Sequence, residues 1–503
     1  MGRGISSFYL LASLFLLPLA IIAAAEKNSA PWPLSTPSRE GLDPRLLTGM
    51  LTTMRESGLE FRSLIIVKGG KLVASVGFDP FEPSTPQNIY SATKSFLTTL
   101  VGIARDEGLF PALDSPVAGY LDGYDFGKAD DPRRRISFAH LLSQSSGYSP
   151  IWSWDFLRVV DAESYVVQKP LVAEPGSAFL YNSGTLNLLS AALQKATGMR
   201  SADYAASRLM GPLGIDRWAW PGDGAGVTTG GTGLCISAID LARLGYLYLR
   251  GGMWNGHRLV SREWISEATT FRFRPAKMGR AEDFGYGYLW WLDEWGGYSA
   301  HGSGGQYCYV IPDLDLVVVF TASLSPGNFP LPWDYMKRFV LPAAGKGKGK
   351  GPAPDPEGDA AFAALAEQLG PHGHEPRALP MIAKALSGAT FVCAQNPLGI
   401  ASFRLDFARN GPVGVDINYA SEFDAPLGFE AGTDGLVRVA MGKDGVIAAR
   451  AEWEDERRLG LLVFDMQGLI RFSLLFDATD AVQVHVTSAT YGFDTDFAAA
   501  RTR

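Results

Sequence analysis

The chain has 503 residues, of which 47% are hydrophobic and 19% charged, with a formal net charge of −7. A chain of this length and composition buries a sizeable core and exceeds one ordinary domain, so we expect two domains and little disorder. The negative charge argues against a nucleic-acid-binding protein, which usually has a basic face.

The first 25 residues have the pattern of a secretory signal peptide. Arg3 precedes an apolar run over residues 8–22, and Ala23 and Ala25 offer the small side chains that a signal peptidase reads. Cleavage before Glu26 predicts an exported protein, periplasmic or secreted. Because the apolar run is close to membrane-spanning length, the alternative is an uncleaved segment, which is the one contact with a membrane that we expect.

The three cysteines, Cys235, Cys308 and Cys393, are too few for a disulfide scaffold. Their odd number leaves at least one thiol free. The sequence leaves open whether Cys235 and Cys308 form a bridge.

A Gly/Lys/Pro-rich segment is the clearest boundary along the chain. Gly and Lys alternate over residues 345–351, and Pro352, Pro354 and Pro356 follow. Such a segment forms no core and resists a helix, so residues 345–359 are predicted to be a linker. It separates a domain over residues 26–344 from a domain over residues 360–503.

The domain before the linker has a mixed α and β pattern. Runs rich in β-branched residues lie near both of its ends, joined in pairs by tight turns, and helical patterns lie between them. The predicted strands are Leu64–Val67, Leu72–Val76, Tyr307–Ile311 and Leu314–Phe320. The predicted helices are Ser91–Asp106, Leu186–Ala196 and Ile239–Arg250. We therefore expect the α+β class, with an antiparallel sheet flanked by helices.

The domain after the linker begins with a short predicted helix over Ala360–Leu369 and is otherwise rich in β runs with tight turns between them. The predicted strands are Ser402–Phe407, Val413–Tyr419, Leu436–Met441, Val446–Trp453, Leu461–Phe464, Ile470–Phe476 and Val482–Val486. This pattern predicts an antiparallel β-barrel or curved sheet. Nothing in the sequence of this domain indicates a catalytic site.

Ser91 and Lys94 open an amphipathic helical pattern. Two residues three apart lie on the same side of a helix, so the lysine amine can take the serine proton, and the helix N-terminus stabilises a negative oxygen. This spacing makes Ser91 a candidate nucleophile and Lys94 its base. On this motif alone, a helix cap at Ser91 and a surface position for Lys94 are equally good interpretations.

Tyr181-Asn182-Ser183 follows a Glu-Pro-Gly turn and directly precedes a predicted helix. A tyrosine beside an ammonium group can have a lowered pKa and act as a base, which makes Tyr181 a third catalytic candidate. Asn182 is a candidate contact to substrate. The alternative is that Tyr181 packs in the core, and Ser183 is expected to cap the helix in either case.

His301, Gly302 and Ser303 lead through two further glycines into a predicted strand. Small residues at a strand edge let a substrate carbonyl approach backbone N–H groups, as an oxyanion hole requires. The alternative is a glycine-rich bend without a ligand.

The order Ser-x-x-Lys, Tyr-x-x and then a His-Gly strand resembles the class C type of the serine β-lactamase and penicillin-binding-protein superfamily. The stretches 136–147 and 230–243 also resemble the family's helix and glycine turn. The likeness covers roughly residues 40–342. It implies acyl transfer, with Ser91 as nucleophile, Lys94 and Tyr181 moving the proton, and backbone N–H groups of Ser91 and Ser303 forming the oxyanion hole.

Two departures point away from β-lactam resistance. The third residue of the tyrosine motif is Ser183 where the family usually has Asn. The third element has no lysine if Ser303 supplies the oxyanion N–H, and in an alternative register His301 replaces the family's lysine. In either register, the cation that grips a substrate carboxylate is missing or weakened. The motifs look closer to 6-aminohexanoate-dimer hydrolases and related serine esterases, which implies a small-molecule amide or ester substrate bound near Asn182, His301 and Gly302.

Two other functions remain open. One is a D-alanyl-D-alanine carboxypeptidase or β-lactamase, and the other is a non-catalytic binding protein on the same fold. The sequence has no Gly-x-Ser-x-Gly elbow and no His-Glu-x-x-His motif. We expect no cofactor, no metal and no nucleic-acid partner.

Overall fold

The computed structural model describes residues 32–152, 155, 159–275, 285–345, 353–408, 411–421, 426–442, 445–464, 469–477, 479–488 and 493–502. The predicted signal peptide and much of the Gly/Lys segment lie outside the described residues. The chain forms two compact units. The larger unit holds the described parts of residues 28–78 and 82–369, and the smaller unit holds those of residues 79–81 and 370–503.

A seven-stranded antiparallel sheet is the centre of the larger unit. Its strands, in spatial order, are β2 (Lys71–Gly77), β1 (Phe61–Lys68), β11 (Leu316–Ala322), β10 (Gln306–Ile311), β9 (Tyr298–Gly302), β8 (Trp291–Leu292) and β7 (Gly285–Tyr286). Two short pairs lie outside it, namely β3 (Gln87–Asn88) with β4 (Cys235–Ile236), and β5 (Met253–Trp254) with β6 (His257–Arg258).

Helices cover both faces of this sheet. The α-helices of the larger unit are α1 (Pro44–Glu56), α2 (Thr93–Asp106), α3 (Val117–Tyr120), α4 (Phe138–Leu142), α5 (Ala162–Val167), α6 (Thr185–Thr197), α7 (Ser201–Ala205), α8 (Gly211–Leu213), α9 (Ala238–Leu249), α10 (Arg262–Ala268), α11 (Leu331–Tyr335), α12 (Leu341–Ala344) and α13 (Pro356–Leu369). Strand β1 is buried almost throughout because its side chains enter one core on each face. Ile65 belongs to the core that contains α2 and α9, and Leu64 belongs to the core that contains α1.

The helix α13 packs against α1. Phe362 is buried in the same core as Leu47, and the carboxylate of Asp359 accepts hydrogen bonds from the hydroxyls of Thr36 (2.6 Å) and Ser38 (2.7 Å). The helix that follows the Gly/Lys/Pro segment is therefore part of the larger unit's core.

The smaller unit is a ten-stranded antiparallel sheet that curves into a nearly closed barrel. After the short helix α14 (Met381–Leu386) come β12 (Thr390–Cys393), β13 (Ile400–Phe407), β14 (Val413–Tyr419), β15 (Leu427–Ala431), β16 (Arg438–Gly442), β17 (Gly445–Trp453), β18 (Arg458–Phe464), β19 (Leu469–Phe476), β20 (Ala481–Ser488) and β21 (Phe493–Arg501). Gly432, just after β15, hydrogen-bonds to the backbone of β17 and brings the ends of the sheet together.

The predicted fold class is confirmed: an antiparallel sheet flanked by helices is followed by an antiparallel barrel. Cys235 and Cys308 do not form the disulfide that the sequence left open, since Cys235, Cys308 and Cys393 are all free thiols. Within the described part of the chain, no helix has both the length and the apolar character needed to cross a bilayer.

Candidate active site

Ser91 lies in a 3₁₀ turn, Tyr90–Ala92, that leads directly into α2. The regular helix thus begins two residues later than predicted. Tyr90 has a φ of 48°, a conformation that costs energy for a residue other than glycine and that recurs at functional turns. A hydrogen bond from its backbone N–H to Oδ1 of Asn88 (2.8 Å) holds the turn. Ser91 is partly exposed, so a substrate can reach it.

Lys94 is buried beneath Ser91 and makes three hydrogen bonds. Its Nζ lies 2.9 Å from Oγ of Ser91, 3.0 Å from Oγ of Ser183 and 2.6 Å from the carbonyl oxygen of Gly231. Burial lowers the pKa of Lys94 to about 7, because the charged form is poorly solvated there. A substantial fraction of the amine is therefore neutral near pH 7 and can accept the proton of Ser91.

Tyr181 completes this group. Its side chain is hydrogen-bonded to Ser91, and its ring centre lies 4.8 Å from Nζ of Lys94. Burial nevertheless raises the pKa of Tyr181 well above its ordinary value, which is opposite to the expected direction. The neighbouring lysine is itself losing its charge, so it does little to stabilise a phenolate. Tyr181 is thus a proton donor at neutral pH.

Asn182 and Ser183 have roles different from those predicted. Oδ1 of Asn182 accepts from the backbone N–H of Thr185 (3.1 Å), so Asn182 caps α6 and Ser183 does not. Asn182 is fully buried, and its side-chain amide also donates to the carbonyl of Ser149 (2.9 Å). Because its polar atoms bond within the protein, this position does not support a contact to substrate. Ser183 instead holds Lys94.

The predicted stretch His301–Ser303 lies beside the turn Tyr90–Ala92, which carries Ser91 and is called the nucleophile turn below. Strand β9 ends at Gly302 and packs against the turn that carries Ser91. A side chain at Gly302 would collide with the carbonyl oxygen of Ile89, so only glycine permits this approach. Ser303 follows at the exposed end of the strand. The structure therefore places the end of β9, directly before Ser303, beside the turn that carries Ser91.

His301 is neutral and sits in an aromatic stack. Its ring lies parallel to Trp291, with ring centres 5.1 Å apart, and Nε2 is 2.8 Å from Oγ of Ser299. Burial lowers the pKa of His301 to about 3. Although the sequence offered His301 as a substitute for the family's lysine, it brings no positive charge at neutral pH. His140 makes a local contact at the start of α4, where its Nδ1 accepts from the backbone N–H of Ser137 (3.2 Å).

Two site residues could not be assigned from the sequence. The carbonyl of Gly231 accepts from Lys94, and a side chain at Gly231 would collide with the backbone of Ser183. The sequence showed the glycine turn that contains Gly231, but it did not indicate that the carbonyl of Gly231 would accept a hydrogen bond from Lys94. Trp291 stacks on Tyr181 with ring centres 5.9 Å apart, and its ring also lies parallel to that of His301.

Comparison with known proteins agrees with this geometry. A model of the Beta-lactamase family matches residues 54–340. The chain belongs to this family. Over 284 residues it is 26% identical to a 6-aminohexanoate-dimer hydrolase of Paenarthrobacter ureafaciens, covering 52% of this chain and 72% of the relative.

Two solved structures of hydrolases share the fold. A provisionally named 6-aminohexanoate-dimer hydrolase from Bacillus anthracis superposes with a TM-score of 0.53 at 19% identity, over 62% of this chain and 86% of its own. EstCE1, a hydrolase with promiscuous acyltransferase activity, superposes with a TM-score of 0.50 at 16% identity, over 59% of this chain and 98% of its own. The proteins similar to this chain therefore include several that are named as hydrolases.

Proposed function

We propose that this protein is a serine hydrolase that cleaves an amide or ester bond through an acyl-enzyme on Ser91. The observation that carries the proposal is the 2.9 Å contact between Nζ of the buried Lys94 and Oγ of Ser91. A buried lysine with a pKa near 7 is matched to removing a hydroxyl proton at neutral pH. A protein that only bound its ligand would not need this pair.

Acylation uses the three side chains in turn. Neutral Lys94 takes the proton of Ser91 as Oγ attacks the substrate carbonyl carbon, and backbone N–H groups of Ser91 and Ser303 hold the resulting oxyanion. Tyr181 gives its proton to the leaving amine or alcohol as the carbonyl–heteroatom bond breaks. The phenolate then recovers a proton from the ammonium of Lys94, which restores both groups.

Deacylation follows the same route with water. A water molecule loses a proton to neutral Lys94 and attacks the ester carbon. The bond to Oγ then breaks, and the oxygen of Ser91 regains a proton from the Lys94–Tyr181 pair. The net reaction adds one water across the cleaved bond and leaves the enzyme unchanged.

The favoured substrates are small and lack a carboxylate next to the scissile bond. His301 is neutral, so it supplies none of the attraction that a lysine offers to an anionic group. The names of the relatives, a 6-aminohexanoate-dimer hydrolase and a hydrolase with promiscuous acyltransferase activity, support a small-molecule substrate and acyl transfer.

The test compares the wild type with Ser91→Ala on a short-chain p-nitrophenyl ester and on a linear amide. A serine-directed fluorophosphonate, followed by mass spectrometry of the labelled peptide, identifies the nucleophile directly. Ser95→Ala is the matched control, since Ser95 is in the same helix but hydrogen-bonds to the carbonyl of Leu289 (2.9 Å).

We expect Ser91→Ala to lose activity by at least 10³-fold and to resist labelling. Ser95→Ala should keep its activity while losing about 1 kcal/mol of unfolding free energy. A wild type inert to both substrates and to the probe, or a fully active Ser91→Ala, would contradict the proposal. Stable acylation by a penicillin would instead favour the D,D-peptidase or β-lactamase alternative.

Export is a further part of the proposed function. The N-terminal pattern predicts that the mature enzyme begins at Glu26. The mass of the protein recovered from the periplasm or medium tests this directly, and a full-length chain retained with the membranes would support the anchored alternative.

A further inference from the structure

Three carboxylates from two segments of the larger unit converge away from the catalytic group. Asp161 and Glu163 lie at the start of α5, and Asp223 lies in the loop that leads to the glycine turn at Gly231. One carboxylate oxygen from each of the three lies within 4.8 Å of those of the other two. Among the described residues this is the one such group with metal-ligand spacing.

Glu163 is the unusual member. Its side chain is fully buried, and neither carboxylate oxygen has a hydrogen-bond partner. A buried, unpartnered carboxylate is costly. Burial and the charges of Asp223 and Asp161 raise the pKa of Glu163 to about 8. Its surroundings thus provide negative charge: Glu163 lies against the carboxylate of Asp223, and the contact with its own backbone N–H falls short of hydrogen-bond geometry.

Asp161 and Asp223 are held in place by hydrogen bonds. Oδ1 of Asp161 accepts from the backbone N–H of Ser164 (2.8 Å). Asp223 accepts from the backbone N–H groups of Ala162 (3.0 Å) and Val227 (2.9 Å). Oδ2 of Asp161 also accepts from the hydroxyl of Ser164 (2.5 Å), and Oδ1 of Asp223 also accepts from the backbone N–H of Ala225 (3.1 Å). These bonds fix both carboxylates and leave a lone pair on each oxygen of Asp161 and on Oδ2 of Asp223 for a further ligand.

We propose that Asp161, Glu163 and Asp223 bind one divalent cation, with Ca²⁺ as the best fit. The ligands are all oxygens, and an ion with oxygens at about 2.4 Å can hold pairs of them up to about 5 Å apart. Asp161 and Asp223 are partly exposed, which lets the ion enter and lets water complete its coordination. No recognisable metal motif marks these residues in the sequence, because Asp223 is distant along the chain from Asp161 and Glu163.

The cation would tie together two segments that support the catalytic group. From Asp223 the chain runs to Gly231, whose carbonyl accepts from Lys94. From α5, Val166 lies against Gly184, one residue beyond Ser183. The ion is therefore expected to stabilise the loops around Lys94 rather than to touch a substrate.

The test titrates the full-length protein with CaCl₂ by calorimetry and compares thermal unfolding in Ca²⁺ with unfolding in EDTA. We expect one saturable site and a rise in Tm of several degrees at saturating Ca²⁺. Glu163→Gln should weaken Ca²⁺ binding by at least 100-fold and abolish the rise. In EDTA this variant should melt no lower than the wild type, because it relieves repulsion among the carboxylates.

Glu263→Gln is the matched control, since it removes the same charge from an exposed position on α10. It should bind Ca²⁺ as the wild type does. The proposal is overturned if the wild type shows neither binding nor a change in Tm, or if Glu163→Gln binds Ca²⁺ unchanged. Should Glu163→Gln fail to fold, Asp223→Asn provides the same comparison.

Discussion

Oγ of Ser183 lies 3.0 Å from Nζ of Lys94, and Ser183 follows Tyr181 by only two positions in the chain. The family usually has asparagine here. A hydroxyl accepts from an ammonium as well as an amide oxygen does, so Ser183 holds Lys94 and favours its charged form.

We predict that Ser183→Ala lowers kcat/KM on an ester about tenfold, the effect of losing one hydrogen bond to a charged group. Removing this acceptor destabilises the ammonium, so the midpoint of the pH profile should move below that of the wild type. Ser183→Asn should restore both values. An unchanged midpoint in Ser183→Ala would mean that the contact does not influence the base.

The pH profile of the wild type should report Lys94. Because the neutral amine is the active base and burial lowers the pKa of Lys94 to about 7, kcat/KM should rise with pH up to about 7 and level off above it. The pKa of His301, lowered to about 3, lies too far away to contribute. Steady-state rates on a neutral ester between pH 5 and 10 test this. A profile that is flat from pH 5 to 7 would contradict the role of Lys94.

Tyr181→Phe should lower kcat by 10²- to 10⁴-fold, the usual contribution of a general acid, with little change in KM. The ring stack with Trp291 remains in this variant, so Tm should stay close to that of the wild type. Since burial raises the pKa of Tyr181, the wild type should keep its activity up to pH 10. Loss of activity between pH 8 and 10 would instead indicate a readily ionised phenol.

Gly302→Ala should be inactive and less stable. The added methyl group meets the carbonyl of Ile89, which pushes β9 away from the nucleophile turn and costs about 1–3 kcal/mol of unfolding free energy. Gly119→Ala is the control, because an added methyl group there meets open space. Chemical denaturation and ester hydrolysis of both variants provide the comparison, and a stable, active Gly302→Ala would remove the argument for this close approach.

The sequence was most informative where interactions are local. The three-residue spacing of Ser91 and Lys94 sufficed to predict that the two side chains meet, and β runs with tight turns between them located most strands of the barrel. Strand β21 (Phe493–Arg501) was missed because its alanines and aspartates have low strand propensity. The regular helix was expected at Ser91, but the strained backbone at Tyr90 delays it to Thr93.

What the sequence could not provide were relationships between distant segments. Gly231 and Lys94 are far apart along the chain, as are Glu163 and Asp223, and no spacing rule connects either pair. The pKa of Tyr181 was expected to fall because a charged lysine was assumed beside it. Burial acts on both groups, so the same environment that lowers the pKa of Lys94 raises that of Tyr181.

The contact between α13 and α1 has a practical consequence for where the chain can be cut. A protein ending at Ala344 would lose Phe362 from the core around Leu47 and would leave Thr36 and Ser38 without the carboxylate of Asp359. The apolar surface uncovered in this way would promote aggregation, which is easily mistaken for dependence on the barrel. A cut after Leu369 keeps this core intact, and only there would activity or its loss report what the barrel itself contributes.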